Sequence, residues 1–129
     1  MRTTLKRLLA ATVAAVTTSV LFASPALAIS PKPPSYGPGW IQVELWSDDR
    51  TVLAGFIQVV KLSNGRYNVI VEDRNPEGIG VTARIDTGSN IQFSYAYDSH
   101  PYEDDWVGPI RKWRLVWGNY ATGWYPPPR

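Results

Sequence analysis

Hydrophobic and polar positions alternate with a period of two through much of this chain. Ile41, Val43 and Leu45 alternate with Gln42 and Glu44. Further on, Ile79, Val81, Ala83 and Ile85 alternate with Gly80, Thr82, Arg84 and Asp86. Then Ile91, Phe93, Tyr95 and Tyr97 alternate with Gln92, Ser94, Ala96 and Asp98. Successive side chains of a strand point to opposite faces, so each segment predicts a half-buried β-strand. A helix would repeat its apolar residues at three- and four-residue spacing, which none of these segments does.

Residues 51–73 (TVLAGFIQVVKLSNGRYNVIVED) place two apolar-rich runs around Asn64-Gly65, the dipeptide suited to a two-residue type I′ turn. That turn sets Leu62 opposite Tyr67, Val60 opposite Val69 and Gln58 opposite Val71. One face then carries Leu62, Val60, Tyr67, Val69 and Val71. Near the C-terminus Gly118-Asn119 suits a type II′ turn, with Trp117 opposite Tyr120, Leu115 opposite Thr122 and Trp113 opposite Trp124. Those four aromatic residues share a face with Leu115 and are expected in the core. Residues 47–50 and 74–78 read as loops. The result is about seven short strands and an all-β fold: a single antiparallel β-sandwich, Ig-like in general shape, with a small β-barrel as the alternative.

The two ends differ from this pattern. Residues 1–28 begin with Arg2, Lys6 and Arg7, continue through an apolar run diluted by Thr and Ser, and close on Ala26-Leu27-Ala28. This is the layout of a cleaved secretory signal peptide, and it predicts a secreted, extracellular protein. Residues 29–39 (ISPKPPSYGPG) form a Pro/Gly-rich leader, expected to be extended with little regular hydrogen bonding. The sandwich domain follows over residues 40–125, with a Pro-rich tail at 126–129.

Charge changes meaning once the signal is set aside. The formal net charge is +2 over all 129 residues, but removing three of the 13 basic residues leaves 10 against 11 acidic ones, a net of −1. No basic footprint remains to predict a nucleic-acid partner, and membrane contact is expected only through the uncleaved signal. With no cysteine in the chain, thiol catalysis, thiolate metal sites and disulfide bracing are excluded.

Residues 98–105 (DSHPYEDD) gather the only His and four carboxylates, of which Asp98, Glu103, Asp104 and Asp105 form a candidate Ca²⁺ site. The loop has neither the alternating ligands nor the central Gly of an EF-hand, and a solvated acidic loop reads equally well. No Ser occupies a Gly-x-Ser-x-Gly elbow, and no Gly-rich phosphate loop opens a helix.

Ile85-Asp86-Thr87-Gly88-Ser89 resembles the active-site signature of aspartic proteases. The resemblance implies that Asp86 would pair with a second such Asp and share a proton with it. This chain has one copy, so a dimer would be needed to complete the site. Val116-Trp117-Gly118 is the nearest counterpart of the family's buttressing segment. Asp-Thr-Gly-Ser-Asn also reads as ordinary turn chemistry between two strands.

The remaining signal is aromatic. Alternation sets Trp40 and Trp46 opposite Ile41, Val43 and Leu45, on one strand face and six residues apart, while Trp106 adjoins the acidic segment. Rings exposed on a β-sandwich can stack on sugars or accept a partner's side chains. The expectation is a monomeric binding module, without cofactor or catalysis, that meets an extracellular glycan or protein through Trp40, Trp46 and Trp106. The alternatives are a secreted hydrolase and a structural envelope protein.

Overall fold

The computed structural model describes residues 28–74 and 79–129; the expected signal lies outside them except for Ala28, as do residues 75–78 of the expected loop. Ten strands follow in chain order: β1 (Ile29–Pro31), β2 (Ser35–Gly37), β3 (Trp40–Ser47), β4 (Leu53–Lys61), β5 (Tyr67–Asp73), β6 (Val81–Asp86), β7 (Ile91–Ala96), β8 (Tyr102–Val107), β9 (Lys112–Trp117) and β10 (Tyr120–Ala121). They build two antiparallel sheets packed on each other as a β-sandwich, open at the edges rather than closed into a barrel. One sheet runs β1-β3-β4-β5-β8, with β2 also paired to β3; the other runs β10-β9-β6-β7.

The core is the space between these sheets. Ile41, Val43, Leu45, Ile57, Val59, Val69 and Val71 fill it from the first sheet; Val81, Ala83, Ile85, Trp113, Leu115 and Trp117 fill it from the second. Full burial of a Val, Leu or Ile side chain is worth about 1.5–3 kcal/mol. In a chain without cysteine, this layer supplies the cohesion that disulfides give many small secreted domains.

The central hairpin departs from the expected register by one residue. Val59 pairs with Val69 and Ile57 with Val71, while Val60 pairs with Asn68 on the outer face. The Leu62 N–H donates to the Arg66 carbonyl at 2.8 Å, which leaves a three-residue loop, Ser63-Asn64-Gly65. Gly65 has φ of 78° and Asn64 is not left-handed, so a type I turn followed by a glycine bulge replaces type I′. The slip makes the inner face wholly β-branched across Ile57, Val59, Val69 and Val71, a better core surface than the expected one.

The last hairpin keeps its expected start, with Tyr120 opposite Trp117, and then shifts. Leu115 N–H donates to the Thr122 hydroxyl at 3.1 Å, and beyond Gly123 it is Tyr125, not Trp124, that pairs with Trp113. Trp113 and Trp117 are therefore core, but Tyr120 is exposed and Trp124 is half-buried outside the sandwich.

Residues 29–39 are more ordered than a leader with little hydrogen bonding. Ser30 pairs with Trp46 and Tyr36 with Ile41, so both ends of this segment join β3. The prolines at 33 and 34 fall between the two paired stretches, where no N–H is missed. The tail is anchored as well: Trp113 Nε1 donates to the Pro126 carbonyl at 3.0 Å, and Gly39 N–H to the Arg129 carbonyl at 2.9 Å.

Strand β7 carries its large residues outward. Cross-strand rows explain this: Ala96 lies level with Val81 and Trp117, and Ser94 with Ala83 and Leu115. The bulk of Trp117 and Leu115 on β9 leaves small residues to complete the same layers on β7. Ile91, Phe93, Tyr95 and Tyr97 consequently face solvent, each between 39% and 58% exposed.

A cleft between two free sheet edges

Strand β7 is the last strand of one sheet and β8 the last strand of the other. The link between them is tight. Tyr97 and His100 exchange both backbone hydrogen bonds, at 2.8 and 2.9 Å, around Asp98 and Ser99. The two free edges thus lie along the same flank of the sandwich with a cleft between them. Its upper part, about 170 Å³, is lined by Tyr95, Tyr97, His100 and Glu103. Its lower part, about 420 Å³, is lined by Ile91, Phe93, Trp106 and Val107. Phe93, Ser94 and Asp105 border both parts.

The floor is a chain of polar contacts. Ser94 Oγ donates to Asp105 Oδ2 at 2.5 Å, and His100 Nε2 meets Glu103 Oε1 at 2.6 Å. Asp105 and Glu103 stand two residues apart on the same side of β8, and each acts on the other's carboxyl. Their environments separate them. Burial pushes the Asp105 carboxyl above the usual carboxylate range, and the neighbouring Glu103 and Asp104 charges push it the same way against the Ser94 bond. The His100 contact, seconded by Asp105, holds Glu103 below that range. Of the two, Asp105 is therefore the weaker acid and Glu103 the stronger.

Aromatic rings rim this floor. Tyr95 and Tyr97 stack with centroids 5.7 Å apart, and Tyr97 lies 5.6 Å from the His100 ring. Trp106, 67% exposed, stands at the lower end.

The three expected tryptophans share the outer face of the first sheet, but their surroundings differ. Trp40, Val60, Asn68 and Trp106 form one row across β3, β4, β5 and β8. At about 4.8 Å per strand, the two tryptophans are roughly 14 Å apart. Trp40 is half-buried against the Gly37 backbone, where an added Cβ would fall 2.0 Å from its Nε1. Trp46 is half-buried beneath Lys32, whose Nζ sits 4.4 Å from the ring, and it donates to Glu44 at 2.8 Å. Only Trp106 of the three stands exposed.

The candidate Ca²⁺ site is not assembled. Tyr102–Val107 is a strand and not a loop, and alternation divides its acids. Glu103 and Asp105 turn to the cleft, Asp104 accepts from Asn68 on the opposite face, and Asp98 sits in the exposed β7–β8 turn. Among the described residues no group of three or more His, Asp or Glu is arranged to hold a metal ion.

Asp86 is engaged within its own turn. Its Oδ1 accepts the Gly88 N–H at 2.8 Å, and its Oδ2 pairs with the Arg111 guanidinium. Arg111 holds the carboxyl below the usual range, with the Gly88 bond acting the same way.

Local pattern did not single out Phe93, Tyr95, Tyr97, Ser94 or His100 as site residues. The available signal was the small pair Ser94 and Ala96, which suits the inner side of an edge strand better than a row of tyrosines would. Comparison with protein families, with curated proteins and with solved structures finds no match to this chain.

Proposed function

We propose that this chain is a secreted glycan-binding module whose groove is the β7–β8 cleft, and that its ligand is a neutral polysaccharide chain. The observation that carries this reading is the pairing of exposed rings with a hydrogen-bonding floor. Phe93, Tyr95, Tyr97 and Trp106 offer apolar faces and edges to sugar rings. His100, Glu103 and Asp105 offer acceptors and donors to hydroxyl groups along the same line. From Ile91 to Tyr97 the cleft follows six residue steps of strand, roughly 20 Å at 3.3 Å per residue, which suits an extended oligosaccharide. The ionised Glu103 disfavours an acidic chain at this position.

An inserted peptide strand fits less well. It would need roughly 9–10 Å of clearance to pair with both edges at about 4.8 Å each, and the Ser94–Asp105 bond crosses that space. A second reading, a hydrolase, is favoured by one observation: two neighbouring carboxyls on the cleft floor, Asp105 with its pKa raised and Glu103 with its pKa lowered, are arranged as an acid–base pair is.

Affinity electrophoresis through gels cast with hydroxyethylcellulose, xylan, mixed-linkage glucan or dextran tests the proposal. The chain should be retarded by at least one, and Tyr95→Ala and Trp106→Ala should abolish retardation while keeping the wild-type melting temperature. Free migration through all four polymers would contradict it. Release of reducing ends, lost in Asp105→Asn, would instead establish the hydrolase.

A further inference from the structure

Among its strand residues, the outer face of the second sheet carries three cations, Arg84, Lys112 and Arg114, and a single carboxylate, Asp86. Phe93, Arg84 and Arg114 lie in one cross-strand row, so two guanidinium-bearing residues stand directly opposite each other. Like charges so placed are destabilising. Arg84 Cζ lies 5.9 Å from the Phe93 ring centroid. Trp124 packs between Arg114 Cζ at 4.2 Å and Lys112 Nζ at 4.6 Å. The carboxylate nearest in register is Asp86, opposite Lys112, and it is already paired with Arg111. Among the described residues none of Arg84, Lys112 or Arg114 forms a salt bridge, and Arg114 Nε is buried without a hydrogen-bond partner.

We infer that this face is a second binding site, distinct from the cleft floor, for the carboxylate or sulfate groups of an acidic polysaccharide. Two adjacent guanidinium groups and an ammonium, held in place by rings, provide the forked donors that planar and tetrahedral oxyanions match. Bound anions relieve the repulsion between Arg84 and Arg114, so the unfavourable pairing in the free protein becomes a source of affinity. Single-stranded nucleic acid suits the face less. It is held by bases stacking on open aromatic faces, and Trp124 on this face is half-buried against Arg114 and Lys112. The inference does not depend on the acidic floor of the cleft; Phe93, which borders the cleft and lies level with Arg84, is where the two sites adjoin.

Binding should be measured in 20 mM salt to dextran sulfate, to polygalacturonate, to uncharged dextran and to a thirty-base oligothymidylate. The expected result is saturable binding to dextran sulfate, to polygalacturonate or to both, release by 0.5 M salt, and no gain from uncharged dextran. A response to one acidic polymer alone identifies sulfate or carboxylate as the group recognised. Arg84→Gln should weaken that binding about tenfold, as expected for a lost charged hydrogen bond, without lowering the melting temperature. Lys112→Gln serves as a second variant that leaves the Arg114–Trp124 contact in place. Three outcomes would overturn the inference: no binding to either acidic polymer, equal binding by wild type and both variants, or tighter binding to oligothymidylate. Tyr95→Ala and Trp106→Ala should bind the acidic polymers normally, which separates failure here from failure of the cleft reading.

Discussion

Ser94, midway along β7, donates its hydroxyl at 2.5 Å to Asp105, midway along β8, and so joins the free edge of one sheet to the free edge of the other. Ser94 is 2% exposed, whereas Asp105 is half-buried and borders the cleft. Ser94→Ala should therefore cost about 0.5–1.5 kcal/mol, the net worth of an ordinary hydrogen bond whose remaining partner water can reach. Urea denaturation measures this directly. Unchanged stability would mean that the two edges are held by packing alone.

Asp105 and Asp86 should give opposite pH dependences. Asp105 has a raised pKa, chiefly through burial, so its favourable contribution is complete below the unfolded value of about 3.9 and is lost as pH rises through the folded value. Asp105→Asn should accordingly gain on wild type between pH 4 and pH 7. Asp86 has a lowered pKa, chiefly through Arg111, so its contribution is present above the unfolded value and disappears as pH falls through the folded one. Asp86→Asn should lose most at pH 7 and converge with wild type in strong acid. Thermal melts of both variants across this range decide it; parallel curves for either would contradict the assigned environment.

The observed hairpin turn makes an unequal demand on its two central residues. Gly65 has φ of 78° whereas Asn64 does not enter the left-handed region. Gly65→Val should cost about 1–3 kcal/mol for a strained backbone position. Asn64→Ala should cost less, since it loses only the side-chain acceptor for Arg66 N–H. Equal, large losses in the two variants would favour the two-residue type I′ turn.

The strands were largely legible from sequence because burying one face of a sheet imposes a period of two on residues such as Ile41, Val43 and Leu45. The hairpin register was not, since Ser63-Asn64-Gly65 suits both a two-residue and a three-residue loop; the core packing of Ile57 and Val59 decides between them. The direction of β7 depends on the bulk of Trp117 and Leu115, two strands away in the sheet. Strand β8 carries Tyr102, Asp104 and Trp106 on one side and Glu103, Asp105 and Val107 on the other, so neither side is apolar and no periodicity announces a strand. Its existence follows from pairing with β5. The candidate site was hidden for the same reason: Ser94 and Asp105 meet across two sheets, a relationship that no local pattern encodes. Trp106 was the part within reach, as an aromatic residue among acids with no apolar partner in its segment.

The central claim, that the β7–β8 cleft receives a neutral glycan, is tested most directly by NMR titration with linear neutral oligosaccharides such as cellohexaose and xylohexaose. Saturable shifts of the Trp106 indole N–H and of the amides of Ser94, Tyr95 and Asp105 are the expected result. The buried Trp113 indole, bonded to the Pro126 carbonyl, should stay in place. Shifts confined to Trp40 and Trp46, or no shift with any ligand of the set, would contradict it.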